Sequence, residues 1–231
     1  MTGTEALLRC GAAALPVNVS DIAAHFGIKL VSYNDFTSVY DIDKAELYRR
    51  VSYGGFSLFD EGKYICVVNS SLCGKPRRKW TAAHEIGHIL CGHISGKLIQ
   101  LTPELEKQAD DFTAELLAPL TVLHFCGVSS AAEIKRLCGI SEEAAEYRFR
   151  ELSALRRRQE DIFRSGLRTQ PLSPDEIPEY TQPHSVFLQR ECDRELFMQF
   201  SPFISSYIAK RASHDGYEQY LSRISHEPMA I

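Results

Sequence analysis

The spacing of apolar and polar positions divides the chain into short helical stripes, two strand-like runs and a set of longer helices. Residues 1–15 carry Ala6, Leu7, Leu8 and Ala12 to Ala14 on a short helix that Pro16 breaks. Ser20 is placed to cap a second helix, Asp21 to Phe26, closed by Gly27. Ile28 to Tyr33 read as a strand, and Asp41, Asp43 and Glu46 as a polar connection. Phe56 to Phe59 and Lys63 to Asn69 alternate as strands around the turn Asp60-Glu61-Gly62, which predicts a hairpin. If the second of these runs lies at a sheet edge, it offers an extended substrate a place to pair.

Helical periodicity then takes over. Pro76 suits the first turn of a helix whose apolar positions are Ala82, Ala83, Ile86, Ile89 and Leu90. Arg77, Arg78 and Lys79 lie in that first turn, where the helix dipole disfavours cations, and read as a solvated basic edge. Thr102 and Pro103 open the next helix, which ends near Leu117 because Pro119 disfavours helical geometry at Ala118. Its stripe is Leu105, Ala109, Phe112, Leu116 and Leu117, interrupted by Thr113. Ser130-Ala131-Ala132-Glu133 is a capping box for a helix to Cys138, and Ser141 caps a longer one from Glu142 into Arg158. This helix-turn-helix outline opens its second helix with Glu142, Glu143 and Glu146, which would face phosphates, so packing on the rest of the domain is the preferred reading. The expected division is a domain over 1–160, with helix-turn-helix-like helices at about 129–160, a proline-rich linker over 161–184 and a helical C-terminal region over 185–231.

The chemistry concentrates in Trp80 to His93. There His84, Glu85 and His88 form His-Glu-x-x-His, a string that chance alone places in roughly one chain of this length in a few hundred. Four residues apart on a helix, His84 and His88 can point at one ion, while Glu85 lies one position round, in reach of a metal-bound water. Catalytic zinc needs a third protein ligand, and the following helix offers Glu104, Glu106, Asp110 and Glu115. Glu106 is preferred because Asp110, one turn on, can accept the other ring N–H of a ligand histidine. His93, five beyond His88, reads as a surface histidine, and Cys91 as a packed thiol. Several tyrosines and His93 are the candidates to steady an oxyanion. The fold class expected is α+β, a small antiparallel sheet on a catalytic helix pair in the manner of zincins, followed by a mostly helical C-terminal region.

Composition adds exclusions. The 231 residues are 44% hydrophobic and 24% charged, an ordinary globular balance, and the net charge of −4 argues against nucleic-acid binding as the main role. Seven scattered cysteines without Cys-x-x-Cys spacing suggest reduced thiols in a cytoplasmic protein. The N-terminus has no signal pattern, and no apolar run approaches the ~18 residues of a membrane helix.

Thr81 to His88, preceded by a strand ending in Asn69 and by two arginines, resembles the ImmA/IrrE family of zinc metallopeptidases. Glu106 to Pro119 is similar to that family's Glu-x-x-Ala-Asn-x-Phe-Ala-Ala-x-Leu-Leu-Met-Pro block, with Asp110, Thr113 and Ala118 departing from it. Leu15-Pro16-Val17 and the helices from Ile134 to Leu152 extend the likeness over roughly residues 5–155. The resemblance implies zinc held by His84, His88 and Glu106, with Glu85 catalytic and Asp110 behind a ligand. It also implies cleavage of an intracellular helix-turn-helix repressor, of a mobile element or a stress regulon. The alternative is a partner that sequesters a repressor or toxin without cutting it.

Overall fold

The hairpin forms, and a third strand joins it. The computed structural model describes residues 1–71, 74–94, 102–169 and 185–224. Strands β2 (Gly55–Asp60) and β3 (Lys63–Val68) pair antiparallel, and β1 (Lys29–Ser32) pairs with β3 in parallel. The order β1-β3-β2 makes β3, the run expected to offer a free edge, the central strand, and leaves β2 outermost. Physically this fits the composition: β3 is the most apolar of the three and is buried on both faces.

The two faces have different covers. Ile65 and Val67 of β3, with Phe56 and Leu58 of β2, pack on Tyr33 and Phe36 of α3 (Tyr33–Tyr40) and Leu47 of α4 (Lys44–Arg50). These two helices stand where a strand end and a polar connection were expected. Their starts are set by Ser32, whose hydroxyl accepts from Asp35 N–H, and by Asp43, whose carboxylate accepts from Ala45 N–H. Tyr33 fastens the layer by donating its hydroxyl hydrogen to Ser52 O. On the opposite face Cys66 meets α5 (Lys75–Leu90), which lies across β2 and β3.

Behind α5 the helices share one core. Helix α1 (Gly3–Cys10) begins with a Thr2–Glu5 capping box and stops at Gly11, short of the expected end, because Gly11 takes a left-handed conformation at φ 69°. Helix α2 (Val19–His25) is capped by Asn18, two residues before the expected Ser20. Helix α6 (Pro103–Leu117) follows α5, and α7 (Leu120–Phe125) turns off immediately after Pro119. Gly3 brings α1 to backbone distance of α6: a Cβ there would lie 2.3 Å from Phe112 O. Thr113, the polar interruption, is buried and donates to Ala109 O at 2.7 Å within its own helix.

Helices α8 (Ala131–Cys138) and α9 (Glu142–Thr169) pack together, with Ile134, Cys138, Ile140, Ala145 and Leu152 in the core. The capping box at α8 is half formed. Ser130 accepts from Glu133 N–H, but the Glu133 carboxylate takes the N–H of Ser129 instead of that of Ser130. From α9, buried Arg148 donates to Ala118 O through Nε and Nη2, satisfying the carbonyl at the C-cap of α6. Arg77 of the expected basic edge is exposed, whereas Lys79 donates to Cys138 O at 2.7 Å and ties α5 to the end of α8.

Helix α9 runs through residue 160 to Thr169; residues 170–184 of the expected linker lie outside the described residues, as does Cys73. Helix α10 (Glu191–Ile224) places Leu196, Phe200 and Ile204 in the same core as Ile86 and Phe112. Its Gln199 Nε2 donates to Leu7 O and Ala12 O at the end of α1. Pro202 lies inside α10 and has no N–H for Met198 O, but the Ser201 hydroxyl donates to that carbonyl at 2.8 Å. Among the described residues no helix is long and apolar enough to cross a membrane.

Candidate metal centre

Helix α5 starts without a side-chain cap, on Gly74 and the favourable Pro76, and puts His84 and His88 one turn apart toward α6. Gly87, between them, faces α6. A Cβ at Gly87 would lie 3.0 Å from Phe112 Cδ1 and 3.3 Å from Ala109 O, so its absence lets the two helices close on each other. At that separation Glu106, in the first turn of α6, reaches both imidazoles.

Nε2 of His84 is 3.0 Å from Nε2 of His88 and 3.2 Å from Glu106 Oε2, and His88 Nε2 is 3.7 Å from the same oxygen. Donors on a tetrahedron with arms of about 2 Å are about 3.3 Å apart, so these spacings fit a zinc-sized ion. Among the described residues, His84, His88 and Glu106 form a group able to hold a metal. His84 Nδ1 is 2.9 Å from Asp110 Oδ1. His88 Nδ1 is 2.9 Å from Nδ1 of His93, whose Nε2 is 3.0 Å from Gln108 Oε1. His93 is therefore not the surface histidine expected. It is 4% exposed, because the helix ends before it and helical spacing no longer describes where it points. Burial, and after it the neighbouring His84, press His88 toward its neutral form, the form that donates a lone pair.

Glu85 is buried on the side facing β2. Ser57 of β2 places its hydroxyl 2.7 Å from Glu85 Oε2 and 2.9 Å from Glu85 O. Burial raises the Glu85 pKa, and the Ser57 hydrogen bond and His84 act against that rise. Ser57 and Gln108 were missed by sequence reasoning, and His93 was considered only as a surface histidine or an oxyanion partner. For Ser57 a signal existed: Gly55 and Ser57 share one strand face, and both are small enough for a helix to lie close.

The other candidates lie elsewhere. Glu104 is exposed and bonded to the Thr102 cap. Glu115 accepts from Thr4 N–H and pairs with Arg190. The Cys91 thiol donates to Met1 O, a packing contact. The histidines and Glu85 open onto a cleft of about 1170 Å³ walled by α3, α4, β2 and α5. It carries Asp41, Glu46, Glu85, Glu106 and Asp110, and no Lys, Arg or Tyr is among its described lining residues.

Residues 43–150 match the model of the IrrE N-terminal-like domain family, Peptidase_M78. This segment, just under half of the chain, is similar to IrrE N-terminal-like domains. The matched segment runs from the cap of α4 into α9 and contains His84, Glu85, His88 and Glu106. The match supports a metallopeptidase-type function, as the ImmA/IrrE resemblance implied. Helices α1 and α10 lie outside the match yet share one core with Ile86 of α5 and Phe112 of α6. No curated protein matches the chain significantly.

Proposed function

We propose that the protein is a zinc-dependent endopeptidase that cuts an intracellular helix-turn-helix repressor. The observation that carries the metal reading is the His84, His88 and Glu106 donor set, spaced as tetrahedral zinc requires, beside a buried glutamate. Bound there, zinc supplies Lewis acidity toward the scissile carbonyl and the attacking water. Glu85 takes the proton of that water as the oxygen bonds to the carbonyl carbon, and returns it to the amine as the C–N bond breaks. Ser57 holds Glu85 Oε2, which leaves the other carboxylate oxygen to take the proton, and Asp110 orients His84. Outer strand β2, which lines the cleft from Gly55 to Phe59, offers an extended peptide a pairing edge. The acidic lining disfavours nucleic acid and favours a polypeptide that tolerates carboxylates.

The repressor assignment rests on the resemblance to the ImmA/IrrE family. It is tested by co-expressing the chain with the repressor-like protein encoded nearest to it, wild type beside Glu85→Gln, and measuring the repressor's mass. The expected result is a discrete cut with wild type alone. An intact repressor that co-purifies with both forms would replace the peptidase by a sequestering partner.

A further inference from the structure

Helix α5 ends at Leu90 and the chain turns back through Gly92, at φ 79°, where a side chain would be strained. Gly92 N–H donates to Ile89 O at 3.0 Å and His93 N–H to His88 O at 2.9 Å. This is the double closure of a Schellman turn, in which the residues at either end bring their side chains into contact. Here those residues are His88 and His93. Their Nδ1 atoms lie 2.9 Å apart in a buried setting, a distance that holds one proton between them.

The next contact decides which ring owns it. Gln108 Oε1 is an acceptor without a proton, so His93 carries hydrogen on Nε2 and donates it at 3.0 Å. A neutral His93 then has a bare Nδ1, which accepts from Nδ1–H of His88. The consequence is a bare Nε2 on His88, directed at His84 Nε2 and Glu106 Oε2. Gln108 lies two residues beyond Glu106 on α6, so one helix provides both the third metal donor and the last acceptor of the relay.

We propose that His93 and Gln108, held by the Gly92 turn, are positioning residues that lock His88 in the tautomer able to bind metal. The inference rests on the metal reading given above. His84 is set differently, by direct contact with the carboxylate of Asp110, which is well exposed; behind His88 the buried ring of His93 stands between the ligand and exposed Gln108. The two ligands therefore differ in how solvent reaches their support.

The test measures zinc affinity of the full chain by competition with a chromophoric chelator. Gln108→Ala and His93→Ala are expected to bind zinc ten- to a hundred-fold more weakly than wild type. His93→Asn, whose Oδ1 can stand where Nδ1 of the imidazole accepts, is expected to recover most of that loss. Long-range proton–nitrogen NMR of the zinc-loaded wild type is expected to show His93 protonated on Nε2, a readout independent of any folding defect in a variant. Protonation of His93 on Nδ1 would overturn the relay, as would unchanged affinity in Gln108→Ala or an equal loss in His93→Asn and His93→Ala. Failure of the wild type to bind zinc would overturn the metal reading itself, and the relay with it.

Discussion

His124 gives the fold a calculable sensitivity to acid. Its ring, on α7, stacks on Phe187 with centroids 3.8 Å apart and planes 9° apart, and Arg156 Nε donates to its Nδ1 at 3.4 Å. Burial first, and the Arg156 charge second, push the imidazole down to about 4. In the unfolded chain it returns to about 6.5. Above both values the ring is neutral in either state and stability is fully present. As pH falls below the unfolded value the unfolded chain takes up a proton that the folded one refuses, so stability is lost, and the loss is complete once pH passes the folded value. Linkage sets the loss between pH 8 and pH 5 at about 2 kcal/mol, and residual solvent contact of the ring reduces this to about 1–2 kcal/mol. The assay is urea unfolding of metal-stripped wild type and His124→Phe at the two pH values. Phenylalanine can still stack on Phe187, and Arg156 keeps its bond to Val128 O. Wild type is expected to lose about 1–2 kcal/mol more than the variant over that interval. Equal losses would refute the assignment of a neutral, desolvated His124.

Three further outcomes follow from packing and hydrogen bonding. Phe200→Ala empties a fully buried position on α10 and is expected to cost about 3–5 kcal/mol in chemical denaturation; a change under 1 kcal/mol would mean that α10 does not contribute to the shared core. Gly87→Ala sets a methyl group 3.0 Å from Phe112 and 3.3 Å from Ala109 O, which moves α6 away from α5 and is expected to weaken zinc binding, read by chelator competition. Ser57→Ala frees the Glu85 carboxylate and, on the proposed function, is expected to slow peptide cleavage about ten-fold while zinc affinity stays at the wild-type value. A parallel fall in both would place Ser57 in the packing of the site and not in orienting the base.

Helix α5 was legible because two signals coincide on it: apolar residues at helical spacing and two histidines a turn apart. Helix α6 was legible from Thr102-Pro103 at its start and Pro119 past its end. Helices α3 and α4 were not, since they are short and bury few side chains, chiefly Tyr33, Phe36 and Leu47; their caps, Ser32 and Asp43, were the available signal. The place of β3 at the sheet centre depends on β1 joining from the other side, a non-local pairing that no local pattern announces. At the site, residues related by one helix were readable, and residues brought in by the Gly92 turn or by strand β2 were not. Gly92 after an apolar helix was itself a stop signal, and taken as one it would have moved His93 off the helical wheel.

Phe112 is gripped from both sides, by Gly87 of α5 and by Gly3 of α1, each at a distance that leaves no space for a methyl group. The helix between them therefore has almost no freedom to slide or tilt. For a metal site this is a matter of population: apparent affinity falls by the fraction of molecules whose ligands are out of place, and close helix packing works to keep that fraction low. Under the metal reading proposed above, His84, His88 and Glu106 already stand at ligand spacing before an ion arrives, so its capture asks little rearrangement of the chain.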